Sequence, residues 1–333
     1  MPAAAPAQQA VPVSEEVSWE IGPTTVTATL TLPAAPGPHP AIVFVAGSGP
    51  TDRDWNSPLM PGKNATAPIL AAELAKAGFA SIRFDKRFLG PSGQGNMAIM
   101  AGKLSFKTHL EEVASAAAYL RSRAEISEDK VFALTNSEGA LHAINCQSDD
   151  GCSFAGLVLT APPGRILKDL MRWQLGKQME TLPEADELMT RYDSLIAKFL
   201  AGLPFAPDPK LPAAVNRLVA SFYANLPFTR ELLTADVPSL LAKAPASQVL
   251  AVFGGKDLQV DPKLDGSRYE ALGHEHLTIV FPRDADHLLK HEPRPLAQLT
   301  PAAVSYNAPG RVLDAETVKL IVGWLKAAAV KPE

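Results

Sequence analysis

Cysteine is nearly missing from this chain: Cys146 and Cys152 are the only two among 333 residues. Two thiols with no histidine at finger spacing cannot build a structural zinc site. They flank a short polar stretch, residues 147–151, and two readings stay open: unpaired thiols near a helix end, or a local disulfide in an exported protein. Charge of one sign is also lacking. A formal net charge of −4 gives no long-range attraction to nucleic acid or to an anionic membrane surface. No apolar run reaches the roughly 18 residues that a membrane span needs. Gly47-Ser48-Gly49 lacks the third glycine and the helix start of a dinucleotide fingerprint. Asp149-Asp150 and the pair Asp284/Asp286 lack calcium-ligand spacing and read as solvated loop charges. No cofactor and no metal are therefore expected.

What is present is an ordinary globular composition, 47% hydrophobic and 20% charged, with 30 prolines, nearly twice average usage. The length allows one large domain with an insertion, or two smaller ones. The opening MPAAAPAQQA has neither the basic start nor the apolar centre of an intact signal peptide. Residues 1–14 read as a flexible leader, of the kind left where a signal has been removed, so export and a cytoplasmic location both stay open.

Residues 17–21 and 24–32 alternate apolar and polar side chains around Gly22-Pro23, as an antiparallel edge hairpin would. Continuous apolar runs follow at 41–46, 80–84, 131–134, 156–160, 249–253 and 277–281, the pattern of strands buried on both faces. Helical periodicity lies between them at 67–77, 110–124 and 140–145, and again at 316–328. This alternation predicts an α/β fold with a mostly parallel central sheet and antiparallel N-terminal strands. Residues 164–244 break it, with helical pattern and prolines but no strand signal. They read as a helical cap inserted between core strands, leaving 15–163 and 245–333 as the catalytic core. The Met171, Trp173, Phe199 and Phe222 of this insert are expected mainly in its own core.

The strongest chemical signal is a buried strand running through Thr135 and Asn136 into Ser137-Glu138-Gly139 and a helix. This is the setting of a nucleophile elbow, where a sharp turn lifts a serine Oγ above the sheet. The second glycine of G-x-S-x-G is Gly139, whereas Thr135 replaces the first. A helix-capping role for Ser137 is the bland alternative. A serine hydroxyl needs an adjacent imidazole to take its proton, and on such a sheet the order is Ser, then Asp or Glu, then His. Of seven histidines, His287 and His291 follow the last strand; His287 is the nearer and its Leu288-Leu289 can anchor the loop. His291 is the reserve, expected at the surface. Before it, the strand at 249–253 ends in Gly254-Gly255-Lys256-Asp257, where Asp257 can orient the imidazole. Asp261 and Asp265 are alternatives expected to be solvated. For the oxyanion, the expected donors are the backbone N–H groups of Glu138 and Ser48, such donors being worth about 3–4 kcal/mol each.

Several motifs then fall in order: Gly47-Ser48-Gly49-Pro50 with Asp52-Arg53-Asp54; Asp85-Lys86-Arg87 with Gly90 and Ser92; Asn136-Ser137-Glu138-Gly139; Gly254, Asp257 and Val260; and His287-Leu288. On these the chain resembles bacterial carboxylesterases of the α/β-hydrolase fold, related to dienelactone hydrolases and cinnamoyl esterases. The resemblance implies a serine carboxylesterase acting on small or medium esters, with Ser137, His287 and Asp257 as its triad. Three departures stand out. Ala46 replaces a histidine, which removes any brace it gave the oxyanion loop; Phe88 replaces a glycine after the D-K-R turn; Thr135 replaces the elbow glycine. Asp52-Arg53-Asp54 is expected to be an Arg–carboxylate brace. Peptide, lactone, thioester or β-lactam cleavage by the same residues stays open, as does a catalytically silent binding protein of this fold. Oligomeric state and the ester's acyl and alcohol parts are not legible.

Overall fold

The computed structural model describes residues 11–59, 61–149, 151–245, 247–300 and 306–330. A hairpin comes first: β1 (Val13–Ile21) pairs antiparallel with β2 (Thr24–Leu32). Residues 1–10 of the segment read as a leader lie outside the described residues, and its last two, Val13 and Ser14, already belong to β1.

The chain then winds β3 (His39–Val45), α1 (Thr66–Lys76), β4 (Ala80–Phe84), α2 (Gly93–Met100), α3 (Phe106–Arg121), β5 (Ile126–Asn136), α4 (Gly139–Ser148) and β6 (Gly156–Thr160). Five helices follow: α5 (Leu167–Met179), α6 (Ala185–Leu200), α7 (Ala213–Ala224), α8 (Leu226–Thr234) and α9 (Val237–Leu241). The chain closes with β7 (Gln248–Val252), α10 (Gly266–Glu270), β8 (Leu277–Val280) and α11 (Ala315–Val330). The sheet has eight strands in the order β1-β2-β4-β3-β5-β6-β7-β8, antiparallel through the first three and parallel from β4 onward.

Successive residues of a strand face opposite sides, and the inner strands bury both. Val43 and Val45 of β3, Val131 and Ala133 of β5, and Val249 and Ala251 of β7 share one core with Val113 and Leu120 of α3 and Leu141 of α4. Their neighbours Ile42, Phe44, Phe132, Leu134, Leu250 and Val252 pack on the other face against Leu70 and Leu74 of α1 and Ile321 and Leu325 of α11. This double burial is why these strands read as unbroken apolar runs.

Four of the five helices between β6 and β7, α5 to α8, share a third core, in which Tyr192, Phe199, Val219, Phe222 and Leu233 meet. Leu167, Leu170, Val237 and Leu241, at the two ends of this segment, join the core of the sheet instead. Cys146, in the last turn of α4, forms a disulfide with Cys152, and both are buried. Asp150 between them lies outside the described residues. Helix α2 shows no apolar period. It is held by Asn96, whose amide oxygen accepts from Thr25 N at 3.0 Å and whose amide nitrogen donates to the Thr25 and Arg87 carbonyls at 2.7 Å each.

Candidate active site

Strand β5 delivers Asn136 to the edge of the sheet, Ser137 follows at φ +52°, and α4 starts at Gly139. A non-glycine residue in the left-handed region is strained and needs surrounding structure to hold it. Here Ser137 N donates to Thr160 O on β6 at 2.9 Å, while Ala140 N donates to Ser137 O at 3.0 Å. The turn is tight because α4 leaves directly beneath the end of β3. A Cβ on Gly139 would sit 2.4 Å from Val45 O and 2.9 Å from Ala46 O, both main-chain atoms that cannot swing away. Thr135 meets no such limit, since it pairs in regular register with Val45 and Leu159 and is fully buried. Of the two elbow positions flanking the serine, only 139 therefore requires glycine. Gly139→Ala is expected to destabilise the protein by on the order of 3 kcal/mol, measured as a lower denaturant midpoint at an unchanged m-value.

The loops that carry Asp257 and His287 are built against each other by two more glycines. A Cβ on Gly254 would fall 2.5 Å from Ala285 O, and one on Gly255 would fall 2.5 Å from Arg283 O. That closeness lets Lys256 N donate to Ala285 O at 2.9 Å and brings Asp257 under His287. The His287 Nδ1–H donates to Asp257 Oδ2 at 2.8 Å, and both side chains are buried. The other oxygen, Oδ1, accepts from Gln259 N at 2.7 Å and Val260 N at 2.9 Å. Asn136 Nδ2 donates to His287 O at 3.0 Å, tying the loop that carries His287 to the residue before Ser137. Ser137 Oγ forms no hydrogen bond to the imidazole among the described residues. Burial pushes the His287 pKa down, but the Asp257 carboxylate, by its charge and its hydrogen bond, with Asp286 behind it, more than reverses this and leaves it above the ordinary value. Tyr306, which the sequence did not single out, lies with its ring 6.4 Å from that of His287.

Two aspartates expected in solvent are buried. Asp286 accepts from Leu288 N and Lys290 N at 2.9 Å each and from Arg311 Nη1 at 2.6 Å, so it shapes the loop that carries His287. Leu289 anchors the same loop in the core with Ile321 and Leu325. Asp265 is fully buried. Both of its oxygens bind the Arg165 guanidinium, at 3.1 and 2.7 Å, and Oδ1 also accepts from Gly164 N and Arg165 N, which pins the start of the helical segment to the loop after β7. His291 stays partly exposed beside Asp314. The brace expected within Asp52-Arg53-Asp54 is wired differently: Arg53 binds Asp85 and Glu16, while Asp54 pairs with Arg83.

The Ser48 and Glu138 N–H groups have no protein acceptor among the described residues. Gly47 lies against the serine, since a Cβ there would be 3.4 Å from Ser137 Cβ. The loop after β3 is braced by Lys86, whose buried Nζ donates to Gly47 O at 2.6 Å and Gly49 O at 2.8 Å. Glu138 turns its carboxylate inward, accepting from His142 Nε2 at 3.1 Å. Burial raises the Glu138 carboxyl, yet the His142 bond and the Lys86 charge hold it at about 2, while burial and neighbouring His109 bring His142 down to about 4. Near neutral pH this pair is a carboxylate and a neutral imidazole. A cavity of about 610 Å³ does not include Ser137 in its lining; it lies alongside the loop after β3, bounded by Pro50, Arg53, Asp85 and Gly90. Among the described residues no three His, Cys, Asp or Glu side chains are grouped to hold a metal ion, and no helix is long and apolar enough to cross a membrane.

Known proteins resemble this chain in sequence and in fold. Esterase EstD of Thermotoga maritima is 28% identical over 298 residues, which are 89% of this chain and 64% of EstD, so the chain spans under two thirds of that relative's length. Among solved structures, the esterase Pf2001 of Pyrococcus furiosus superposes with a TM-score of 0.57 at 15% identity, covering 95% of this chain and 91% of its own. Est1E of Butyrivibrio proteoclasticus superposes with a TM-score of 0.53 at 13% identity, covering 95% and 99%. A sequence model of the alpha/beta hydrolase family matches residues 42–302, most of the chain and every segment that frames Ser137, Asp257 and His287. The chain belongs to the alpha/beta hydrolase family.

Proposed function

We propose that this protein is a serine carboxylesterase in which Ser137 is the nucleophile, His287 the general base and acid, and Asp257 the group that orients His287. The observation that carries this reading is the convergence of three separate segments. The strained turn at Ser137 is tied through Asn136 to the loop bearing His287, and His287 is bonded through Nδ1 to buried Asp257. With Nδ1 occupied, Nε2 is the nitrogen left to serve the serine, at a contact that tightens once substrate is bound.

Ser137 Oγ attacks the ester carbonyl carbon as its proton passes to His287 Nε2. The carbonyl electron pair moves to oxygen, and the oxyanion accepts from the Ser48 and Glu138 N–H groups. Collapse breaks the carbon–oxygen bond to the alcohol, which leaves with the proton from Nε2, and the acyl group stays on Ser137. Water then attacks the acyl carbon, gives a proton to Nε2 and regenerates Ser137 through a second oxyanion as the acid departs. The helical segment, residues 164–244, acts as a cap that limits the substrate to small or medium esters. Its first residues are pinned by Asp265, and Gln174 of α5 donates to Gln259 O beside the Asp257 turn at 2.9 Å.

The test is p-nitrophenol release across a series of short to long acyl esters, with labelling of Ser137 by a fluorophosphonate. Turnover with labelling supports the reading, and the chain-length optimum sizes the pocket. No turnover and no labelling would replace it with a silent binding protein; labelling without ester turnover would move the substrate to another acyl class.

The pH profile offers a further check. The base must be neutral to take the serine proton, and His287 is held above the ordinary imidazole value. Activity should therefore fall as pH drops through a midpoint above about 6.5. A kcat/KM profile flat from pH 5 to 8 would count against His287 as base.

A further inference from the structure

Lys86 follows the end of β4 and is 4% exposed. An ammonium taken out of water costs several kcal/mol unless it is bonded, so its partners indicate what the burial serves. Its hydrogen-bond partners are not carboxylates. Both are main-chain carbonyls of the loop after β3, Gly47 O at 2.6 Å and Gly49 O at 2.8 Å. Burial lowers its pKa, and Glu138 and Glu112 oppose that by charge alone, favouring the ammonium.

A peptide group is a rigid plane, and in the trans form its C=O and N–H point in opposite directions. The Gly47–Ser48 bond is trans, the cis bond among the described residues being Gly37–Pro38. Fixing Gly47 O on Lys86 therefore fixes the Ser48 N–H pointing away from Lys86. The plane cannot rotate without losing the 2.6 Å bond. The loop is placed laterally as well, because Gly47 packs on Ser137 Cβ and Asn136. A cation at the oxygen end of that peptide also polarises it, which makes the N–H at its other end a stronger donor in a low-dielectric site.

We propose that Lys86 is the positioning residue of the oxyanion loop: its ammonium grips the Gly47 and Gly49 carbonyls so that the Ser48 N–H faces the oxyanion formed on substrate at Ser137. The inference rests on the serine-esterase reading above. Lys86 never touches substrate, so its removal should spare ground-state binding and weaken the tetrahedral state.

Two quantities separate this role from general support of the fold: the split between kcat and KM on p-nitrophenyl butyrate, and Ki for an aryl trifluoromethyl ketone, whose serine adduct is a hemiketal oxyanion. In Lys86→Met, kcat should fall on the order of 100-fold, the scale of losing one oxyanion donor. KM should stay within about threefold and Ki should rise in step with the loss in kcat. Lys86→Gln, which keeps an N–H donor but no charge, should fall between Lys86→Met and wild type; it carries the test if Lys86→Met does not fold. A folded variant with wild-type kcat and Ki overturns the inference, as does one in which KM alone rises. Wild-type protein without Ser137-dependent turnover would instead overturn the esterase reading, and this inference with it.

Discussion

Ser137→Ala is expected to lower kcat on p-nitrophenyl esters by about 10⁶-fold, the scale seen when a triad serine is removed. The loss is this large because the alanine variant has no acyl-enzyme route at all. What remains is water attack on an ester held near the oxyanion donors, and that residue of catalysis sets a floor above the uncatalysed rate. Stability should hardly change. Ser137 is only partly buried, its Oγ has no hydrogen bond among the described residues, and alanine meets the same φ +52° strain. A shift of the denaturation midpoint equivalent to at most about 0.5 kcal/mol is expected. The combination is the point of the experiment: a dead enzyme with wild-type stability locates the chemistry at one oxygen atom. Retained turnover on the ester series would remove Ser137 from the mechanism, whatever the geometry around it.

Much of the framework could be read from residue order, because the physics that places it is local. Runs such as 41–46 and 249–253 are apolar throughout since their strands bury both faces. The Asp257 and His287 loops follow adjacent parallel strands, β7 and β8, so both emerge at the same edge of the sheet. Long-range contacts leave less trace in the sequence. Lys86 looks like an ordinary lysine in a turn until the fold brings it to carbonyls 39 and 37 positions away in sequence. Asp265 and Asp286 look like solvated aspartates because the arginines that justify their burial, Arg165 and Arg311, are 100 and 25 positions distant. Thr135 counts as a departure only because G-x-S-x-G treats its two glycines alike. The structure separates them: Gly139 passes under the carbonyls of Val45 and Ala46, whereas residue 135 is still in regular strand. Helix α2, with Gly93 and Gly95 in its first turn, is set by a single asparagine rather than by periodicity.

Asp257→Asn should cost about 10⁴-fold in kcat, the loss associated with the wrong imidazole tautomer. The hydrogen bonds give the reason. Asp257 Oδ1 accepts two backbone N–H groups, from Gln259 and Val260, and Oδ2 accepts the His287 Nδ1–H. An asparagine has one oxygen for these three donors. If it stays with the backbone pair, its NH₂ faces Nδ1, which must then become the acceptor, and the proton moves to Nε2. An imidazole protonated at Nε2 cannot take the serine proton. If the amide flips instead, its NH₂ opposes two backbone donors and leaves them unsatisfied in a buried turn, at a cost of about 1–3 kcal/mol for each group. Loss of the carboxylate charge also removes the main influence that raises His287, so whatever activity survives should keep its acid limb at lower pH than wild type. Asp286 cannot take over, because its own oxygens already hold Leu288 N, Lys290 N and Arg311. Measured kcat/KM profiles of the two proteins would show both effects at once. A variant with kcat within about tenfold of wild type and an unmoved acid limb would mean that Asp257 neither sets the tautomer nor the charge of the base.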